Sequence, residues 1–192
     1  GIDDSDDYQF LQDFVATVVD AGCRQLIIHA RKAWLKGLSP KENREVPPLN
    51  YQRVHQLKQE FPQLDISING GIKTLQQAKE QLQYLDGVMV GREAYTNPML
   101  LNDVDALIYG KTGNGFTPEQ VVLAMLPYIE RQMQLGARFW HIARHMLGLF
   151  QGMPGARQWR RLLSEQGHFA DAKPELLLQA LTKIKPVTDL TS

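Results

Sequence analysis

Two short strings carry the residue types that an anion requires. Asn69-Gly70-Gly71 and Gly91-Arg92 each follow an apolar run of strand character. Glycine lets the backbone approach a ligand with its N–H groups facing it, and a helix starting just beyond adds the positive end of its dipole. Taken singly, each string is more simply a tight turn between a strand and a helix. As a pair, with the Arg92 guanidinium beside them, they match the phosphate site that (β/α)8 barrels build after their seventh and eighth strands. His29 closes a third apolar run, and Arg31 follows two residues later, so a polar site at the same strand ends is expected. A histidine in that position is by itself more often a hydrogen-bonded core residue than a functional one.

A second kind of chemistry is written in charge. Between residues 131 and 163 there is no Asp or Glu, while Arg131, Arg138, Arg144, Arg157, Arg160 and Arg161 crowd the same window. A basic run can be a solvated helix face. An arginine-only run points further, because a planar guanidinium grips phosphate bidentately and stacks on bases. His141 and His145 stand four apart, but without a carboxylate or thiolate partner they make a poor metal site, and no metal is expected. Trp140 and Trp159 could stack on bases or, at helical spacing, fill a core. Cys23 is the only cysteine, so neither an internal disulfide nor a cysteine-built zinc site can staple the fold.

The elements that must hold these residues alternate. A helix signal with Asp and Ser cap candidates runs through Tyr8, Leu11, Phe14, Val15, Val18 and Val19 and closes at Gly22. Strand runs follow at QLIIH (25–29), DISIN (65–69) and GVMV (87–90), the first read as a buried parallel strand. Between the first two lie a long polar segment, 30–50, which reads as a functional loop, and a helix near 51–60. A further helix spans about 74–82. The alternation predicts right-handed βαβ units with a parallel sheet. Only three strands are convincing, whereas a closed barrel has eight. Gly, Asn and Thr between 109 and 117 mark a linker, and helices are expected near 118–135, 137–148, 156–166 and 174–184. The expected architecture is the C-terminal portion of an α/β TIM barrel over 1–112, carrying its last three strands, followed by an all-α bundle over 117–187.

With 43% hydrophobic and 22% charged residues the chain has an ordinary globular composition, which argues against disorder. The 21 basic and 21 acidic residues cancel, so a polyanion partner must be recognised by charge distribution, with acids such as Asp3, Asp4, Asp6 and Asp7 gathered at the start. No apolar run reaches the roughly 20 residues of a membrane span and no secretory leader opens the sequence, so a cytoplasmic protein without membrane partners is expected.

The strings IIHARKAWLKGLSPKENREVPPL, ISINGGI, GVMVGREAYTNP and HMLGLFQGMPGARQWRRLLS resemble the tRNA-dihydrouridine synthase family, the first and last its A subfamily. The resemblance runs in order to about Leu163. It implies FMN as cofactor, NADPH as reductant and a D-loop uridine of tRNA, at position 20 or 20a, as the base reduced. It implies that His29 contacts FMN, that Asn69, Gly70 and Gly71 hold its phosphate together with Gly91 and Arg92, and that Lys41, Arg44, Arg157 and Arg160 contact tRNA. In that chemistry the reduced flavin passes hydride to uracil C6 and a cysteine protonates C5, on a base taken out of its stack. The family's cysteine belongs to an earlier part of the barrel, and Cys23, in a helix-to-strand connection, does not match it. The opening GIDD resembles the segment after the family's fifth strand. The 192 residues alone are therefore expected to be inactive and to start mid-fold, with a cut barrel edge open to self-association. Two other readings stand beside this one: a stand-alone RNA-binding helical module without redox activity, and an aldolase- or lyase-like barrel, which leaves Lys41, Arg44, Arg157 and Arg160 without a role.

Overall fold

The computed structural model describes residues 7–113 and 115–184, so Asp3, Asp4, Asp6, the GIDD opening and residues 185–187 of the expected bundle lie outside the described residues. The chain divides into two compact units, Gly1–Gly91 and Arg92–Ser192.

In the first unit α1 (Tyr8–Asp20) starts where the Asp7 side chain accepts the Gln9 N–H. It leads into β1 (Gln25–His29), then α2 (Tyr51–Glu60), β2 (Asp65–Asn69), α3 (Leu75–Gln81) and β3 (Gly87–Met89). Asn50 and Thr74 cap α2 and α3 through their side-chain oxygens. The strands are parallel and ordered β1-β2-β3, with Ile27 beside Ser67, His29 beside Asn69, and Asn69 beside Met89. A strand sends alternate side chains to opposite faces. Leu26, Ile28, Ile66, Ile68 and Val88 therefore share one face and pack with Val15 of α1 and with Val54 and Leu57 of α2.

The other face departs from expectation. Against the buried strand that its composition predicts, β1 has Gln25, Ile27 and His29 exposed, Ile27 at 62%, and Met89 of β3 is 47% exposed. Among the described residues of this unit the helices α1 and α2 cover one side of the sheet only. Ser67 and Gly87 meet on the open side, where a Cβ at Gly87 would strike the Ser67 hydroxyl. At the opposite end of the strands from His29, Asp86 accepts the Ile66 N–H at 2.8 Å and pairs with Lys58 at 2.7 Å, and Lys58 also donates to the Leu64 and Pro62 carbonyls.

Among the described residues of the second unit every regular element is helical. α4 (Arg92–Thr96), a 3-10 turn (Pro98–Asp103) and α5 (Val104–Leu107) form a segment that the sequence reading passed over. It belongs with this unit because Gly148 leaves room for the Thr96 carbonyl and Pro98, and Met99 joins the core. The two compact units divide at Gly91–Arg92, ahead of the linker expected over 109–117. α6 (Pro118–Gln134) opens with a reciprocal Thr117/Gln120 capping box. The helix expected over 137–148 is shorter, α7 (Phe139–Ala143), and tightens into a 3-10 turn at Arg144–Met146. α8 (Ala156–Gln166) and α9 (Glu175–Leu181) follow. Val122, Ile129, Phe139, Phe150, Leu163 and Leu177 pack around Trp159, whose ring meets Phe150 edge-on at 4.8 Å and whose Nε1 donates to the Met146 carbonyl at 3.3 Å. Trp159 is core and not a base-stacking residue.

Asp86 makes a pH-dependent prediction. Burial opposes its ionisation, but the Lys58 ammonium and the Ile66 N–H outweigh that and hold its carboxyl below the usual range. A carboxyl depressed in the folded state stabilises above its unfolded value and loses that contribution as pH falls through its folded value. Asp86→Asn should therefore cost about 1 kcal/mol near neutral pH, allowing for its partial exposure, and almost nothing in acid. Urea melts at pH 7 and pH 3 check this; an equal gap at both pH values would refute it.

Candidate functional site

The carboxyl-terminal ends of the three strands meet at one side chain. Asn69, last residue of β2, donates from Nδ2 to the Met89 carbonyl at 2.8 Å, and its Oδ1 lies 2.6 Å from His29 Nδ1. The Met89 carbonyl can only accept, so it fixes which way the carboxamide points and leaves Oδ1 facing the imidazole. His29 Nδ1 must then carry a proton and donate, and the neutral ring presents Nε2 as an acceptor on the open face. Asn69 thus ties β1 to β3 across β2.

Directly beyond it, Gly70 and Gly71 take φ of 117° and 72°, a region closed to most side chains. A Cβ at Gly71 would strike Leu49, and the Tyr51 hydroxyl donates to the Gly70 carbonyl at 2.8 Å. Burial pushes the Tyr51 phenol up, against the opposing pull of the Arg31 charge. Leu49 and Tyr51 thus shape the turn from beneath, a role the sequence reading missed because nothing in their spacing points across 20 residues. The amides of Gly70 and Gly71 have no backbone acceptor among the described residues. Gly91 lies by Asn69, its ideal Cβ position 3.8 Å from Nδ2, and Arg92 opens α4 as its chain neighbour.

Two parts of the expected cradle change. The helix dipole contributes little, because α3 begins four residues past Gly71 with its first turn already capped by Thr74, and α4 is only five residues long. Arg31 does not enter a polar site with His29. Its guanidinium turns back along the 30–50 segment, donating to the Glu45 carbonyl at 2.9 Å and to the Pro47 carbonyl.

Lys41 and Arg44 are exposed and flank a 3-10 turn (Glu42–Arg44) in the first unit. Arg157 and Arg160 stand on α8 in the second, Arg157 exposed and Arg160 half-buried beside the Ala156–Leu163 ridge. Arg160 reaches Gln151 at 3.3 Å, while Arg161 is engaged by Glu165 at 2.8 Å. His145 is engaged as well, by Tyr95 at 3.0 Å and by Arg144 at 3.2 Å. Among the described residues no group of three or more His, Cys, Asp or Glu could hold a metal ion. Cys23 is half-exposed, with its thiol 3.3 Å from the Gln25 carbonyl at the far end of β1 from His29. Among the described residues no helix is long and apolar enough to cross a membrane.

A turn of positive-φ glycines thus lies beside a fixed Asn–His pair at the ends of sequential parallel strands. The chain belongs to the dihydrouridine synthase family, whose model matches residues 1–185. It is 62% identical over 185 residues to a Salmonella typhi protein named tRNA-dihydrouridine(20/20a) synthase, covering 96% of this chain and 56% of that one. It is similar to proteins of the same name from Vibrio cholerae, at 58% identity over 96% of this chain and 57% of the relative, and from Shewanella oneidensis, at 57% identity over 100% and 57%. The chain spans about half the length of the curated relatives it matches.

The Asn69 geometry carries a spectroscopic prediction. In 15N NMR of the chain, neutral His29 should show the Nδ1–H tautomer, and Asn69→Ala should shift the ring toward the Nε2–H form that an unconstrained histidine side chain prefers. An Nε2–H ring in the unchanged chain would show that Asn69 does not orient His29.

Proposed function

We propose that this chain supplies the phosphate-holding part of an FMN site, together with basic contacts to tRNA, for the NADPH-driven reduction of a D-loop uridine at position 20 or 20a to 5,6-dihydrouridine. The observation that carries the proposal is the Asn69 carboxamide holding His29 beside the Gly70-Gly71 turn, because it gathers a hydrogen-bonding ring and unspent backbone amides at one end of the sheet. The amides of Gly70 and Gly71, with Gly91 and the charge of Arg92, suit a phosphate monoester. His29 offers Nε2 to the cofactor from a ring whose orientation is already set. Bound FMN would supply the hydride for uracil C6; the chain's own residues bind, orient and neutralise charge.

The sheet supports the same reading. Sequential parallel order, with α1 and α2 on one face and polar and apolar residues alternating on the open one, suits the wall of a (β/α)8 barrel better than a doubly wound sheet, which is covered on both faces. Residues 1–112 would then form the barrel portion and 117–187 the tRNA-contacting helices. Arg157 and Arg160, in a window without carboxylates, and Lys41 and Arg44, on an exposed turn, are the phosphodiester contacts. Such chemistry suits a cytoplasmic protein with tRNA as its partner.

Cys23 cannot serve as the acid that protonates C5, since its thiol lies at the wrong end of β1. On this reading, these residues alone are expected not to turn over.

The test combines absorbance after adding FMN with gel shift of an unmodified tRNA transcript at two salt concentrations. Flavin retained on gel filtration and salt-dependent tRNA binding are expected. Arg157→Ala with Arg160→Ala should weaken tRNA binding and lower its salt slope by about 0.7–0.9 per lost phosphate contact, leaving flavin retention intact. Equal loss of both would refute two separate sites, and tRNA binding without any flavin would favour a purely RNA-binding module.

A further inference from the structure

Between β1 and α2 the chain runs for about 20 residues with one short 3-10 turn as its regular structure, yet hydrogen bonds close it at three levels. At the base, Arg31 bridges Leu49 in antiparallel fashion, the Ala30 carbonyl accepts the Asn50 N–H at 2.7 Å, and the Arg31 guanidinium spans the Glu45 and Pro47 carbonyls. Midway, the Asn43 carboxamide imitates a backbone pair: its Oδ1 accepts the Trp34 N–H at 2.7 Å and its Nδ2 donates to the Trp34 carbonyl. At the tip, the Ser39 N–H donates to Glu42 Oε2 at 2.8 Å and the Ser39 hydroxyl accepts the Glu42 N–H at 3.3 Å. Lys41 and Arg44 lie between these ties, exposed, while Arg31 and Asn43 are half-buried.

We propose that Arg31 and Asn43 are positioning residues that clamp the 31–49 segment so that Lys41 and Arg44 are presented to tRNA in a pre-formed geometry. The inference rests on the reading above that Lys41 and Arg44 contact tRNA. The division of labour follows from placement: Arg31 is half-buried and spends Nη1 on two carbonyls of its own segment, whereas Lys41 and Arg44 stand at the surface. An unclamped segment of this length would lose backbone freedom on meeting RNA, about 1–2 kcal/mol for each residue fixed, and that loss would be subtracted from the affinity. Asn43, adjoining Arg44 in the chain, fixes the backbone just where the basic side chains leave it.

The experiment uses the full chain, an unmodified tRNA transcript followed by fluorescence anisotropy, and trypsin, which cuts after Lys36, Lys41 and Arg44. Asn43→Ala and Arg31→Met should each weaken tRNA binding by about fivefold, with Arg31→Lys intermediate because an ammonium can still reach one carbonyl. Both should speed trypsin cutting within 31–49 while circular dichroism stays unchanged. In a chain where Lys41 and Arg44 are already Ala, neither change should weaken binding further, since a positioning residue acts only through the groups it positions. Unchanged cutting and affinity in Asn43→Ala, or losses that add to those of the Lys41/Arg44 pair, would overturn the proposal. If the unchanged chain binds no tRNA, the functional reading fails, and the trypsin rates still judge the clamp.

Discussion

The carboxamide of Asn69 reaches from the middle strand to both of its neighbours, and much of the site depends on that reach. It accepts from His29 on one side and donates to the Met89 carbonyl on the other. A carboxylate could not do both, because it lacks the donor, and an amine could not, because it lacks the acceptor. Asparagine at a strand end is thus a chemical requirement of this arrangement. The strand register decides whether it can be met, since His29, Asn69 and Met89 sit side by side in one row.

Around that row the fold separates two kinds of work. Packing is concentrated on the helix-covered face of the sheet and, independently, around Trp159 in the second unit. Polar chemistry gathers at the carboxyl-terminal strand ends and on exposed turns, where side chains are not already committed to the core. The Lys58–Asp86 pair lies at the opposite strand ends and serves only to close the sheet there. A parallel α/β sheet generally places ligands at its carboxyl ends, and the distribution of polar groups here follows that rule.

Turns that look alike in sequence differ in what makes them glycine. Gly70 and Gly71 have positive φ, and Gly71 is further required by Leu49 packed beneath it. Gly91 has no such conformation, and its small size leaves the neighbourhood of the Asn69 amide open. The first turn is thus shaped from within the protein, so glycine there is not by itself a signature of binding. The amides left without acceptors are the stronger sign.

The sequence by itself determined the elements whose signals are local. Hydrophobic alternation and capping residues placed α2 over 51–60, β2 over 65–69 and α8 over 156–166, and the motif strings identified the family, because caps, periodicity and motifs are read within a few residues. It also named His29, Asn69, Gly70 and Gly71 as candidates. Tertiary structure alone decided that β1 is open on one face, since burial depends on what covers a strand and not on its own composition. It alone fitted Thr96 against Gly148, and it alone engaged Arg31 with the carbonyls of its own segment. It alone brought Tyr51 beneath Gly70 and set the His29 ring against Asn69, 40 residues away. Hydrogen-bond partners at such separation leave no periodic trace in the chain, because it is the register of the folded strands that brings them together.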